Sequence, residues 1–501
     1  MCCTNGVTEA NYRIEFVDRI LDPVHGFIDL TQVEKEIIEL PIFKRLQSLK
    51  QLSLTNWVFP GAEHTRYMHS LGVMHIADLM AQNLRDTDYK LKYNDGQRQL
   101  LRLAGLLHDI GHYPLSHVTE YVYNARLLDD DDTLQSKNRE VKNKIDRLAK
   151  PDAKVPDYMM SRYSKVMHHE TIGTKVIESS AKIQAIIAKY CPFIDIDDIK
   201  DIIVGCVERK PEISAMVQLM HSELDADGID YIMRDATFSG TSYGGFELGL
   251  LLRNLAVASY NGIDIVGIRP KGISVVDQYL ISKYFSYTQV IFNRHVAIFD
   301  QMAEMFSKAL IVLSQSNYPR PEQLVKHIEQ HERNDVYLKF TDRAFWSQLD
   351  SIQADELSGY VAEYIVAMYH KLSHYQEIEM VNGGEVIITS DDRQRVYDAL
   401  TQSQVYNDIA NRKEGIMALF HTRGFTSQIN IENFAQRLQV LRGHPIDNDE
   451  FIKRNSLRLQ EGIAVIEKGD EPRLLVDDSR SIMSHLAETK TYILREYCIG
   501  G

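Results

Sequence analysis

The chain has 501 residues, 44% hydrophobic and 25% charged, with a formal net charge of −14. That is the composition of a globular protein with room for one large core and a second domain. It excludes a helical membrane protein, since no run reaches the roughly 18 apolar residues a span needs, and the acidic balance argues against nucleic-acid binding by bulk electrostatics. Five scattered cysteines suggest reduced thiols. Met1-Cys2-Cys3-Thr4-Asn5 has neither a basic nor an apolar signal region, so a cytoplasmic protein is expected. Cys498-Ile499-Gly500-Gly501 has a Cys four from the end, but glycine at the last two places fits a prenylation signal poorly.

Taken in chain order, Tyr12 to Phe27 reads as a short strand or turn, and Ile37 to Leu46 as helix leading to Lys50-Gln51-Leu52. Val58-Phe59-Pro60-Gly61-Ala62 is a loop. In the next helix His69, Val73, Ile76 and Met80 share one stripe, which turns His69 inward. Leu100, Leu103, Ala104 and Leu107 then mark an amphipathic helix that runs into His108-Asp109-Ile110-Gly111-His112-Tyr113-Pro114-Leu115-Ser116-His117. Gly111 and Pro114 break it. From about 127 to 157 four acids, Asp129 to Asp132, precede a stretch rich in Lys and Arg, the pattern of a charged insertion on the surface or beside the site.

His169 shares a stripe with Ile172 and Val176. Helices continue over Ile186 to Ile203, and Ser222 to Asp235 concentrates acids, with Asp227 on the stripe of Leu224 and Tyr231. A glycine-rich loop over Thr237 to Phe246 is followed by an expected hairpin from Ile263 to Val276 and a long helix from Asp277 to Leu313. Ser314 to Glu322, with two prolines, is the best domain boundary. Beyond it, helices are expected over Ala354 to Leu372 and Asp391 to Leu400, a strand after Asn382-Gly383-Gly384, and a hairpin around Lys468-Gly469-Asp470.

Two histidines and two carboxylates on inward faces of separate helices, His69, His108, Asp109 and Asp227, form a competent ligand set for a divalent metal. A carboxylate beside a histidine in a helical interior is costly unless something pairs with it. Mg, Mn, Fe, Ni or Zn would suit such a mixed set. A second tier, His112, His117, Glu120, His169 and Glu170, could move protons near neutral pH. Such a site suits attack of water on a phosphorus ester or anhydride. Arg66 could clamp a phosphate, because a guanidinium matches its oxygens bidentately.

The spacing H…HD…D resembles that of the HD-domain phosphohydrolases. Several strings resemble the deoxynucleoside triphosphate triphosphohydrolase branch more closely: Lys50-Gln51-Leu52, Val58 to Ala62, His64-Thr65-Arg66, His69 to Val73, His108 to His117, His169-Glu170, and Asp227 through Asp230-Tyr231 to Arg234-Asp235. The resemblance covers about the first 300 residues. It implies a metal held by His69, His108, Asp109 and Asp227. It implies that His112, His117 and His169 assist protonation of the leaving oxygen and steady the phosphates, with Glu120 and Glu170 orienting them. Arg66 would contact phosphate, and Gln51, Leu52, Tyr231 and Asp235 would meet the sugar. The family's reaction yields deoxynucleoside and intact triphosphate, many members are dimers or tetramers, and several are activated by nucleotides at subunit interfaces. Gly228 departs from the pattern, since the family usually has Lys or Arg there to grip phosphate.

The expected architecture is therefore mainly α. An all-α HD core over 1–315, carrying the insertion at about 127–157, precedes a smaller α+β accessory or oligomerisation domain over 320–501. The expected partners are a nucleotide substrate, an activating nucleotide and other copies of the chain, with no membrane. Two other readings stand beside this one. The same metal site could act on a monophosphate, a signalling nucleotide or single-stranded nucleic acid, or the fold could serve as a nucleotide-sensing scaffold.

Overall fold

In the computed structural model the described residues are 8–86, 93–124, 134–149, 167–207, 209–312, 317–351, 384–411, 415–421, 459–460, 462–486 and 489–498. They are mainly helical, with three small sheets. The expected helices over 354–372 lie outside the described residues.

The chain enters through an antiparallel hairpin, β1 (Phe16–Asp22) and β2 (Gly26–Thr31), turned at Gly26, whose φ of 71° suits a residue without a Cβ. Helix α1 (Gln32–Ile38) follows directly, with Thr31 and Glu34 forming a capping box. The centre is made by α2 (Arg66–Asn83) packed on α3 (Asp95–Leu107). Asn94 caps α3, and buried Arg102 on that helix binds Glu34 at 2.6 Å and Asp78 at 3.0 Å. This pair of ion contacts ties α1, α2 and α3 together where the charges have no water to replace them.

Helix α3 stops at Leu107, one residue before the histidine knot and earlier than Gly111 or Pro114 requires. The chain then crosses a tight loop and restarts as α4 (His117–Asn124). Helices α5 (Leu134–Asp146) and α6 (His169–Ser179) come next, and α7 (Ala226–Ser239) packs back on α2. Asp225 caps α7 by accepting the Gly228 amide at 2.7 Å.

Three elements depart from the expectations. The hairpin expected over 263–276 forms one strand earlier, between β4 (Leu255–Tyr260) and β5 (Ile263–Ile268). Its turn is Asn261-Gly262, with φ of 52° and 76°, the residue pair that a two-residue hairpin favours. The chain is helical again from Ile273. The single long helix expected over 277–313 is two, α8 (Ile273–Phe285) and α9 (Arg294–Val312), separated by a π turn over Ser286–Ile291. The Asn293 side chain accepts the His295 amide at 3.0 Å and so starts α9.

The charged insertion is not wholly solvated. Val141 and Ile145 of α5 are buried against Val396, Leu400, Val405, Tyr492 and Leu494. These belong to the C-terminal region, where α11 (Arg393–Thr401) lies beside a sheet of order β6 (Glu385–Ser390), β10 (Lys490–Cys498), β7 (Gly415–His421). The expected hairpin around Gly469 forms as β8 (Ala464–Val465) and β9 (Arg473–Leu474), joined to β5 in a five-stranded sheet that also holds β3 (Arg85–Asp86) and β4. The main hydrophobic core runs across the expected boundary, from Ile28 to Leu349, and takes in Ile463, Val465, Leu475, Met483 and Tyr497. Tyr318, inside the boundary segment, is fully buried.

Candidate metal centre and its histidine neighbours

Helices α2, α3 and α7 bring His69, His108, Asp109 and Asp227 together. His69 is buried on α2, and its Nδ1 lies 2.7 Å from Asp230 Oδ2 on α7. A carboxylate partner fixes the proton on Nδ1 and leaves Nε2 as a lone pair. His108 is held the same way by a different group, its Nδ1 donating to the Gly105 carbonyl at 2.8 Å. The two Nε2 atoms are buried and make no aligned hydrogen bond. Asp227 Oδ1 lies 2.9 Å from His69 Nε2 and 3.9 Å from His108 Nε2. Asp109 Oδ2 is 3.9 Å from His69 Nε2, and Oδ1 is 3.4 Å from His108 Nε2. The ligand atoms of His69, His108 and Asp109 converge, with Asp227 set against both imidazoles, and two imidazoles with two carboxylates are a fitting donor set for a divalent cation.

The electrostatics agree. Burial opposes charge on His69, yet Asp227 and Asp230 outweigh it and raise the ring to about 10. The proton that these acids hold there occupies the place of a cation, which would release it on binding. Burial also works against the Asp109 charge, and Arg66 with the surrounding histidines holds that carboxyl well below its usual range. Asp227 is pushed up by burial, but the His69 contact brings it down to about 2.

Beside this quartet lie His112, His117, Glu120 and His169, whose ligand atoms also converge. Glu120 on α4 accepts from the His117 Nδ1 at 2.7 Å and from the His169 backbone amide at 2.9 Å, and its Oε1 lies 3.0 Å from His169 Nδ1. Burial lowers His169, but Glu120 dominates and lifts the ring to about 9. His112 is different. Its Nδ1 accepts the Tyr113 amide at 3.1 Å, so the proton sits on Nε2, which is buried without a partner. Burial and then Arg66 keep His112 neutral. Its ring stacks on His169 with centroids 4.4 Å apart. His117 stands at the mouth, its side chain 66% accessible.

The remaining sequence-selected residues are more dispersed. Glu170 lies 3.2 Å from His168 Nδ1 and 3.8 Å from His221 Nδ1, and its ligand atom groups with those of His168 and His169. Arg66 is buried behind the metal side. Each of its nitrogens is engaged, by Asp109 Oδ2 at 2.8 Å, Ser116 Oγ at 3.0 Å and the Gln51 carbonyl at 3.3 Å. A guanidinium so held orients Asp109, and these three bonds use three of its five N–H donors. Asp235 lies 2.7 Å from His64 Nε2, in a buried pair stacked against Phe238. Gln51 is buried with Oε1 unpartnered, Leu52 is half-buried, and Tyr231 lies one helical turn after Asp227 on α7.

Sequence reasoning did not single out Asp230, His25 or Asp22 as functional. Asp230 joins His69, His25 at 2.5 Å and Arg234 at 2.8 Å, and Arg234 also binds Asp22 at 2.8 Å. Its signal was present as the i,i+4 spacing of Asp230 and Arg234. At Gly228 a Cβ would come 2.4 Å from Tyr279 Oη, a hydroxyl that donates to the Glu223 carbonyl at 3.1 Å. The backbone at 228 is thus packed for a residue without a Cβ, against Tyr279 and Asp225.

Comparison with known proteins completes the site. Residues 66–203 match the HD domain family. That stretch of the chain is similar to HD domains. The HD domain is the fold of a superfamily of metal-dependent phosphohydrolases, and the matched span includes every site histidine from His69 to His169. The chain is 28% identical over 273 residues to the uncharacterized protein YwfO of Bacillus subtilis, covering 54% of this chain and 51% of that one. It is 29% identical over 284 residues to the uncharacterized protein MJ1154 of Methanocaldococcus jannaschii, covering 56% and 48%. A shorter stretch of 97 residues is 42% identical to the deoxynucleoside triphosphate triphosphohydrolase SAMHD1 of Gallus gallus, covering 19% and 16%. The chain thus spans about half the length of the first two relatives. A crystal structure of a hypothetical protein from Aquifex aeolicus shares the fold, with a TM-score of 0.61 at 20% identity over 96% of each chain. No helix among the described residues is long and apolar enough to cross a membrane.

Proposed function

We propose that this protein is a metal-dependent phosphohydrolase that converts deoxynucleoside triphosphates to deoxynucleoside and triphosphate. The observation that carries the reading is the pair of buried Nε2 atoms of His69 and His108, each with its Nδ1 tied back, facing Asp109 and Asp227. When bound there, a divalent cation supplies Lewis-acid charge towards a phosphoryl oxygen and favours deprotonated water.

The chain's own groups account for the remaining needs. Asp230 and the Gly105 carbonyl keep the two ligand rings in the tautomer that presents a lone pair. His112 offers a neutral Nε2–H donor to a phosphate oxygen. His169, held protonated by Glu120, is placed to give a proton to the leaving 5′-oxygen, and Glu120 stabilises the charge it carries before transfer. Gln51 Oε1 is a buried acceptor suited to a sugar hydroxyl.

A second reading is favoured by Gly228. With no side chain at 228 to grip a phosphate, and no room there for a Cβ, the same centre would suit a nucleotide with fewer phosphates or a different phosphate chain. Incubation of the purified protein with each dNTP and NTP plus Mn or Mg, followed by ion-exchange separation, separates the two. Deoxynucleoside with intact triphosphate, absent with Asp109→Ala, supports the first reading. Release of inorganic phosphate alone, or turnover only of mono- or diphosphates, supports the second.

A further inference from the structure

The loop between α3 and α4 holds two consecutive non-glycine residues in the left-handed region, Leu115 and Ser116, each with φ of 52°. Side chains with a Cβ adopt that conformation rarely, and a loop that keeps it twice is held by its surroundings. The hold comes from far along the chain, in α10 (Asp342–Ser351), well beyond the HD domain. Buried Asp342 accepts the Leu115 amide on Oδ1 and the Lys50 amide on Oδ2, both at 2.8 Å. Two residues earlier, the Phe340 carbonyl accepts the Arg45 guanidinium at 2.7 Å, and Arg45 donates to the His112 carbonyl at 2.7 Å as well.

These contacts lead into the site by short steps. The Lys50 carbonyl accepts from Ser116 Oγ at 2.8 Å, and Ser116 Oγ accepts from Arg66, which binds Asp109. Lys50 precedes Gln51, and Leu115 lies two residues before His117. One carboxylate therefore fixes both the edge that carries Gln51 and the loop that carries His112 and His117. The ionised form can accept two amides at once, which a neutral amide in its place cannot do.

We propose that Asp342 is a positioning residue for the hydrolytic site, setting the His112–His117 loop against the Lys50–Gln51 edge from outside the HD domain. The inference rests on the proposed phosphohydrolase reading. In this role Asp342 touches neither metal nor substrate, and it acts through the backbone at Leu115 and Lys50.

The test is Asp342→Asn in the full chain, which keeps shape but loses one acceptor. Expected are a fall in kcat of about tenfold or more on the dNTP turned over fastest, with KM within about threefold, metal content equal to wild type, and faster amide hydrogen exchange in peptides spanning Leu115 and Lys50. Asp342→Ser serves if the Asn variant does not fold, since its hydroxyl leaves one acceptor on a smaller side chain. A merely structural role would lower the thermal midpoint and leave kcat of the folded fraction unchanged, and that result overturns the proposal. Wild-type protein inert towards every dNTP would count against the proposed reaction. The exchange measurement would still decide the positioning role, because unchanged exchange at Leu115 overturns it and faster exchange upholds it.

Discussion

The two sides of the pocket use the same residue types and set them to opposite tasks. On the metal side the histidines His69 and His108 each give Nδ1 to a fixed acceptor, Asp230 or the Gly105 carbonyl, and turn Nε2 towards the Asp109 and Asp227 carboxylates. On the other side Glu120 faces the ring of His169 directly and keeps it charged, while His112 receives a backbone amide and becomes a neutral donor. An imidazole does not announce whether it is a ligand, an acid or a donor. Its partner on the far nitrogen decides.

Breaking the metal side should have the largest effect. Asp109→Asn removes a ligand and leaves Arg66 facing a neutral amide. Turnover should fall by about 10³-fold or more, and bound metal should drop below one per chain. Chelation of the wild type should do the same and be reversed by Mn, as atomic absorption and product assay together would show. Next, Glu120→Gln should lower kcat by about 10² to 10⁴-fold while metal content stays intact. Loss of metal in that variant would erase the distinction between the two sides.

A smaller effect is expected at the support of a ligand. Asp230→Asn should weaken metal binding by about 10 to 100-fold, read by competition with a chelating dye, because His69 loses the partner that fixes its tautomer. The mildest test is pH. His169 is raised above its ordinary value, so its protonated form is present at neutral pH and is lost as pH rises through about 9. The rate should therefore fall on the alkaline side near that point. Glu120→Gln should move this limb towards neutral pH, because the charge that holds the proton is gone.

How much of this was legible in the sequence follows from the range of the interactions. His69 could be placed inward from its helical stripe, and His108-Asp109 from the apolar helix before them, because periodicity is local, whereas Asp227, expected inward on the same grounds, keeps 41% of its side chain accessible. Arg66 shows the limit. Its residue type suited a phosphate, but its hold on Asp109, Ser116 and the Gln51 carbonyl, contacts that span 43, 50 and 15 positions, left no local trace. The Asp342 hold on Lys50 and Leu115 spans 292 and 227 positions and leaves no periodic trace. The docking of Val141 and Ile145 on the C-terminal sheet was hidden by the charges around them, since two apolar residues four apart in a charged helix are a weak signal. The break between α8 and α9 was missed because a π turn preserves helical periodicity on both sides.

The central claim, that His69, His108, Asp109 and Asp227 hold one divalent metal, is tested most directly by anomalous diffraction from crystals grown with Mn. The account predicts a single strong peak per chain among His69 Nε2, His108 Nε2 and the two carboxylates. A peak seated instead among His112, His117, Glu120 and His169, or none at saturating Mn, would contradict it.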